Sequence, residues 1–201
     1  MERIKTGISK LDEILGGGLQ RGHFLLIGAR PGMGKTSLLR TIAKENENEC
    51  LFVSYYGLFD ELLASVNSVL HSCKDSIRFL VFDDIDKYDR SRDEVGHDLK
   101  LLARELDIPV FGSVELPEWV DMRKNKRPVI GDFQSIFGFE PDIEQDADVI
   151  LGLYRQSYYD VSDARPENGT DAEIEVLKNR CGNRAVVKCS FDAENGVWKK
   201  E

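Results

Sequence analysis

The run His23-Phe24-Leu25-Leu26-Ile27-Gly28-Ala29-Arg30-Pro31-Gly32-Met33-Gly34-Lys35-Thr36-Ser37 decides how the whole chain is read. An apolar stretch leads into a glycine-rich turn, and Leu38, Leu39, Ile42 and Ala43 then fall at helical spacing. Strand, turn and helix in that order, with Gly-Lys-Thr at the join, describe a phosphate-binding loop. Small residues let backbone N–H groups turn inward onto phosphate oxygens, and the helix N-terminus adds its positive end. Ala29, Arg30, Pro31, Gly32, Met33, Gly34, Lys35, Thr36 and Ser37 are therefore the expected nucleotide-binding residues. Within that set Lys35 reaches the β- and γ-phosphates and the Thr36 hydroxyl takes one Mg²⁺ position. The usual spacing asks for glycine where Ala29 stands, a small residue all the same.

Working outward, residues 6–22 read as a short helix with Ser9 as its N-cap and Gly16, Gly17 and Gly18 as its stop. Apolar runs at 50–55 and 77–84 are the second and third strands, separated by a helical face over 58–71. Ser91 and Glu94 form a capping box opening a helix that reaches residue 106. Residues 109–114 and 147–153 are the fourth and fifth strands, with long irregular segments at 115–145 and 156–170. The tail alternates over 173–177 and 185–191 about a Gly182-Asn183 turn, and Asn195-Gly196 leads to Val197 and Trp198. Strands alternating with helices, then hairpins, predict an α/β fold. Its central sheet is mainly parallel and flanked by helices, with antiparallel hairpin strands at the C-terminal edge.

The chain has 201 residues, enough for one domain over 1–201 with a substantial core. Its 41% hydrophobic and 31% charged residues are ordinary for a globular protein. A net charge of −9 excludes a protein that coats nucleic acid by bulk electrostatics, though not a local basic track in an oligomeric channel. Cys50, Cys73, Cys181 and Cys189 form no CxxC pair and read as reduced, mostly buried thiols. With no signal-like N-terminus and no apolar run of membrane-spanning length, a cytoplasmic protein with no membrane partner is expected.

The third strand ends in Asp83 and Asp84. After a phosphate loop, a carboxylate at the C-terminal edge of the sheet supplies the second Mg²⁺ contact, so Asp83 is the expected metal residue and Asp84 the alternative.

Taken together these stretches resemble the RecA-like P-loop ATPase core, and more narrowly the C-terminal ATPase domain of DnaB-type replicative DNA helicases. The likeness rests on residues 29–36, on Lys126-Arg127-Pro128, on residues 143–155 containing Glu144-Gln145-Asp146-Ala147-Asp148, and on Lys178-Asn179-Arg180-Cys181-Gly182. The opening Thr-Gly-Ile-Ser-Lys-Leu-Asp-Glu is similar to KaiC/RadA-type proteins as well. The resemblance implies ATP and Mg²⁺ as cofactors and a homo-oligomeric, hexamer-like ring in which ATP sits between neighbours. It also implies that Lys178 and Arg180 reach the γ-phosphate held by the next subunit. Function would be that of an ATP-hydrolysing helicase-type domain acting on single-stranded DNA in replication or a mobile element. The alternatives are an ATP-binding switch or accessory of the same fold with little turnover, partnering a helicase, or a KaiC/RadA-like ATPase.

The chain also departs from that family. Tyr56 stands where the family's catalytic glutamate lies, and a phenol with an ordinary pKa of about 10 is a poor base near neutrality. Hydrolysis is then slow or carried by a displaced carboxylate such as Asp60, Glu61 or Asp84. Glu115 replaces the family's glutamine sensor and is a candidate catalytic residue that either repels the γ-phosphate or supplies the missing base. A single domain without the family's primase-binding N-terminal domain is the expectation, and the span between second and third strands is short. The one dense basic run, Arg123, Lys124, Lys126 and Arg127, corresponds in the family to a region near DNA-facing loops. Its plain reading is a solvated loop; Trp119 and Phe133 beside it could stack on bases or simply pack.

Overall fold

The structure, a computed structural model, describes residues 3–47, 49–54, 57–73, 76–134, 143–159 and 171–199. In chain order the elements are α1 (Ser9–Ile14), β1 (Phe24–Ala29), α2 (Lys35–Glu45), β2 (Cys50–Val53), α3 (Phe59–Cys73), β3 (Phe79–Phe82), α4 (Arg92–Leu106) and β4 (Val110–Glu115). They continue with α5 (Trp119–Met122), α6 (Ile143–Asp146), β5 (Val149–Arg155), α7 (Gln156–Tyr159), β6 (Ala172–Asn179), β7 (Val186–Asp192) and β8 (Val197–Lys199). The strands form one sheet in the order β2-β3-β4-β1-β5-β6-β7-β8. The first five are mutually parallel and the last three antiparallel.

β1 is central and buried on both faces, which is why it reads as a continuous apolar run rather than an alternation. Leu25, Ile27 and Ala29 join the core on one face with α2 and Trp198, while Phe24 and Leu26 join the other with α3 and α4. Its neighbours are β4 and β5; the connection leaving β1 runs to β2 at one edge, whereas that leaving β4 runs past β1 to β5, so adjacent strands send the chain in opposite directions. Ligands of open α/β sheets bind beyond the C-terminal ends of strands at such a point.

Local expectations and structure agree at the capping box, where the Ser91 hydroxyl accepts from Glu94 N and the Glu94 carboxylate accepts from Ser91 N. They differ at α1. Ser9 is the first helical residue rather than the cap: Ile8 holds the N-cap position with no side-chain cap, and Asp12 instead ties down the segment before the helix by accepting from Thr6 N at 2.7 Å and Thr6 Oγ1 at 2.8 Å. The Gly182-Asn183 turn is part of a broad loop over 180–185, because Asn179 Nδ2 donates to both Asn183 O and Ile14 O and ties the loop to α1. The thiols also differ from expectation: Cys189 is buried, Cys50 half-buried, and Cys73 and Cys181 exposed. Among the described residues no helix is long and apolar enough to cross a membrane.

Candidate nucleotide-binding site

The turn after β1 is open and concave. Gly32 and Gly34 have φ of 73° and 100°, a backbone region that L side chains rarely adopt. Gly34 serves as the N-cap of α2, and its carbonyl accepts a 3.0 Å hydrogen bond from the indole of Trp198. The C-terminal hairpin therefore braces the turn from the side. Gly28 is required for a different reason: a Cβ there would lie 2.3 Å from the Phe133 ring.

Beyond the turn lies a cavity of about 400 Å³ lined by Gly32, Gly34, Lys35, Thr36, Asp84 and Glu115 among others. Thr36 Oγ1 donates to Asp83 Oδ2 at 2.7 Å, and Ser113 Oγ donates to Asp83 Oδ1 at 2.6 Å. Asp83 is 4% exposed. Strand β3 thus delivers a buried carboxylate directly onto the first turn of α2. Asp84 has φ of 51° and its N–H donates to Ser113 Oγ, which turns its side chain toward Lys35 with Nζ and Oδ1 3.9 Å apart. Burial, partly offset by Lys35 and reinforced by Asp83 and Asp86, pushes the Asp84 carboxyl above its ordinary range.

The expected binding residues divide by environment. Pro31, Gly32, Gly34, Lys35, Thr36 and Ser37 line the cavity. Met33 is buried in the core. Arg30 instead faces the segment after β4, donating to Asp121 at 2.7 Å and to Leu116 O at 2.5 Å, and pairing with Glu115 at 3.4 Å. Glu115 sits at the cavity wall between Arg30 and Lys87, whose Nζ is 3.9 Å away. Tyr56 lies outside the described residues.

Arg155 and Phe191, which no sequence motif marks as site residues, also line the cavity. Arg155 Nη1 donates to Gly32 O at 3.0 Å and its guanidinium lies 4.3 Å from the Phe191 ring centroid. Burial, against the pull of Asp171 and Tyr158, lowers its pKa. An arginine closing an otherwise apolar strand was the one signal for it; nothing local marks Phe191.

Lys178 and Arg180 lie elsewhere. Val149, at the start of β5, pairs with Asn179, whereas Arg155 at its end touches the phosphate loop. Six strand steps at about 3.3 Å put roughly 20 Å between these edges, so neither cation reaches its own chain's cavity. Burial and then Arg180 lower the Lys178 pKa.

The basic run is mostly engaged within the chain. Arg123 pairs with Asp132 at 2.8 Å. Lys126 Nζ donates to Asp121 O. Arg127 makes a bidentate pair with Glu173 at 2.6 and 3.0 Å and lies over the Tyr154 ring. Lys124 is exposed. Phe133 is fully buried, so it is not available to stack on a base, whereas Trp119 is 39% exposed.

Fold and site together define a P-loop nucleotide-binding domain of RecA-like architecture. The sequence matches the DnaB-like helicase C terminal domain family over residues 3–69 and 77–200. The chain belongs to that family. It is 26% identical to the replicative DNA helicase DnaB of Geobacillus stearothermophilus, an alignment that takes in 95% of this chain and 55% of that protein. The chain thus spans about half the length of that curated relative. A DnaB-like replicative helicase, solved in a study of its interactions with primase, superposes with a TM-score of 0.83 at 22% identity, covering all of this chain and 62% of that one. A KaiC-like protein of Pyrococcus horikoshii OT3 shares the fold less closely, with a TM-score of 0.61 at 18% identity over 95% of this chain and 94% of that one.

Proposed function

We propose that this chain is an ATP-driven motor domain of the DnaB type that binds ATP at the turn between β1 and α2 and turns it over in an oligomer acting on single-stranded DNA. The hydrogen-bond chain from Thr36 through Asp83 to Ser113, set against the concave Gly32–Gly34 backbone, carries the reading. A hydroxyl and a buried carboxylate 2.7 Å apart form a hard-oxygen donor set suited to Mg²⁺. Thr36 and Asp83 would hold the ion, which would supply positive charge beside the phosphates.

The chain's own residues supply the rest. Backbone N–H groups of the turn and α2's first residues cradle the phosphates. Lys35 leaves Asp84 for the β- and γ-phosphate oxygens, and Asp84 and Glu115 are then the carboxylates facing an attacking water. Water oxygen bonds to the γ-phosphorus as its proton passes to one of these carboxylates, the bridging bond to the β-phosphate breaks, and ADP and inorganic phosphate leave. Charge developing on the γ-phosphoryl oxygens is met by Lys178 and Arg180 of a neighbouring copy, since their edge of the sheet is remote from their own cavity. One observation favours the switch reading: Lys35 is already paired with a carboxylate, so nucleotide must displace Asp84 before the lysine is free.

ATP turnover with and without single-stranded DNA, beside Lys35→Ala, separates the readings. DNA-stimulated turnover lost in Lys35→Ala supports the motor. Saturable ATP binding with no turnover in either condition supports the switch.

A further inference from the structure

A buried ionic cluster occupies the edge of the sheet remote from the phosphate loop and takes no direct part in the nucleotide site. Its centre is Asp148, 2% exposed, just before β5. The two carboxylate oxygens have separate partners. Oδ2 accepts from Phe24 N at 2.8 Å and from Lys100 Nζ at 2.5 Å, which fixes the start of β1 against α4. Oδ1 pairs with Arg180 Nε at 3.0 Å. Lys100 is 5% exposed and also donates to Gly22 O at 2.8 Å.

The same edge holds the guanidinium a second time. Arg180 Nη2 donates to Gln145 O at 3.0 Å, and Lys178 Nζ donates to Glu144 O. Those carbonyls belong to α6, which is itself locked onto α4. Ile143 N donates to Asp93 at 2.9 Å, and His97 Nδ1 lies 3.2 Å from Asp146. A Cβ on Gly96 would come within 2.4 Å of Ile143, so α6 sits as close to α4 as a glycine allows. Yet the Arg180 side chain stays 47% exposed. A buried ion cluster gives folding little that a well-packed apolar group of equal volume would not. What it does give is a fixed direction for a cation whose head faces outward.

We infer that Asp148, backed by Lys100, is a positioning residue for Arg180, aiming its guanidinium at the nucleotide bound by a neighbouring copy. This rests on the proposed action of Arg180 across the interface. It also accounts for the Glu144-Gln145-Asp146-Ala147-Asp148 block, whose carbonyls and last carboxylate orient the two cations.

Asp148→Asn is the discriminating variant. An amide can keep its oxygen toward Phe24 N and Lys100 while presenting its NH₂ to Arg180, so the fold contact survives and the aiming contact is lost. The paired variant Lys100→Met/Asp148→Asn removes the buried cation left without a counter-charge and serves if the single change unfolds. The probe is fluorescent ADP with aluminium fluoride and Mg²⁺, which mimics the charge of phosphoryl transfer at equilibrium and needs no turnover. Asp148→Asn should weaken that complex by about tenfold, as for a misplaced transition-state donor, with ATP affinity within about twofold of wild type. Mixing Asp148→Asn protomers with Lys35→Ala protomers should restore turnover above either alone, because an Asp148→Asn cavity beside a Lys35→Ala protomer then meets a correctly held Arg180; a merely misfolded variant would not be rescued. If Arg180→Ala weakens the fluoride complex and Asp148→Asn does not, the positioning role is wrong and action across the interface stands. If Arg180→Ala has no effect either, both fall.

Discussion

Gly34→Ala adds one methyl group at the centre of the proposed phosphate cradle, and the structure sets its size. Gly34 has φ of 100° and ψ of 25°, where an L residue is strained by about 1–2 kcal/mol. The new Cβ would stand 2.9 Å from Phe191 Cε2 and 3.2 Å from Trp198 Nε1. Displacing those two rings, one of which is hydrogen-bonded to Gly34 O, adds about 1–2 kcal/mol. A total of about 2–4 kcal/mol is a fraction of the roughly 5–15 kcal/mol that holds a typical domain, so the variant should fold. Its melting temperature should fall by about 5–15 °C for a chain of this size. Nucleotide binding should suffer separately: relieving the strain rotates the peptide groups on either side of Gly34, and the N–H groups that face the phosphates turn away. Affinity for a fluorescent ATP analogue should drop at least about tenfold, the loss of one charge-assisted hydrogen bond or more. Gly131→Ala is the control, since the nearest atom to its added Cβ is 3.9 Å away. A Gly34→Ala protein that melts lower yet binds the analogue within twofold of wild type would refute a phosphate cradle built from this backbone.

Ser113→Ala removes the donor to Asp83 and the acceptor for Asp84 N, and should cost about 1–3 kcal/mol of stability. Titrating ATP with Mg²⁺ and then with EDTA should show that the Mg²⁺-dependent gain in affinity shrinks in this variant; an undiminished gain would separate Ser113 from the metal site. Phe133→Ala should destabilise by about 3–5 kcal/mol in urea unfolding. Because a Cβ on Gly28 points into that ring, Gly28→Ala should be damaging alone but much milder on the Phe133→Ala background, a coupling that a double-mutant cycle reads directly. Lys124→Glu should weaken single-stranded DNA binding and lower its salt slope by roughly one contact without touching stability, whereas Arg127→Glu should destabilise the fold through the loss of Glu173. An unchanged salt slope in Lys124→Glu would remove that residue from any DNA contact.

Much of the fold could be read from local pattern because local and global preferences agree in it. Apolar runs buried on both faces, helices with one apolar stripe and a strong capping box left little choice of class. The Thr36–Asp83 pairing was legible for the same reason: an acidic residue ending an apolar strand after a phosphate loop has few other places to be. What was hidden depends on contacts between distant residues. Nothing near Trp198 in sequence says that its indole reaches Gly34, 164 positions away. Arg30 looked like part of the nucleotide cradle, but its partner Asp121 comes from the irregular segment, whose path no periodicity specifies. The basic run likewise read as solvated, yet both of its arginines are paired by carboxylates elsewhere in the chain, Arg123 by Asp132 and Arg127 by Glu173 across 46 residues. Lys178 and Arg180 carried meaning only through family resemblance. The structure adds that they stand on the sheet edge opposite their own phosphate loop, which no spacing argument could supply.

Calorimetric titration of ATP, with Mg²⁺ present, into the wild-type chain and into Lys35→Ala and Asp83→Asn is the most direct test of nucleotide docking beyond β1. The wild-type chain should give saturable binding with one ATP per chain, with affinity at least about tenfold weaker in each variant. Equal affinity in all three, or no saturable binding by a folded wild-type chain, would place the nucleotide elsewhere or nowhere on this molecule.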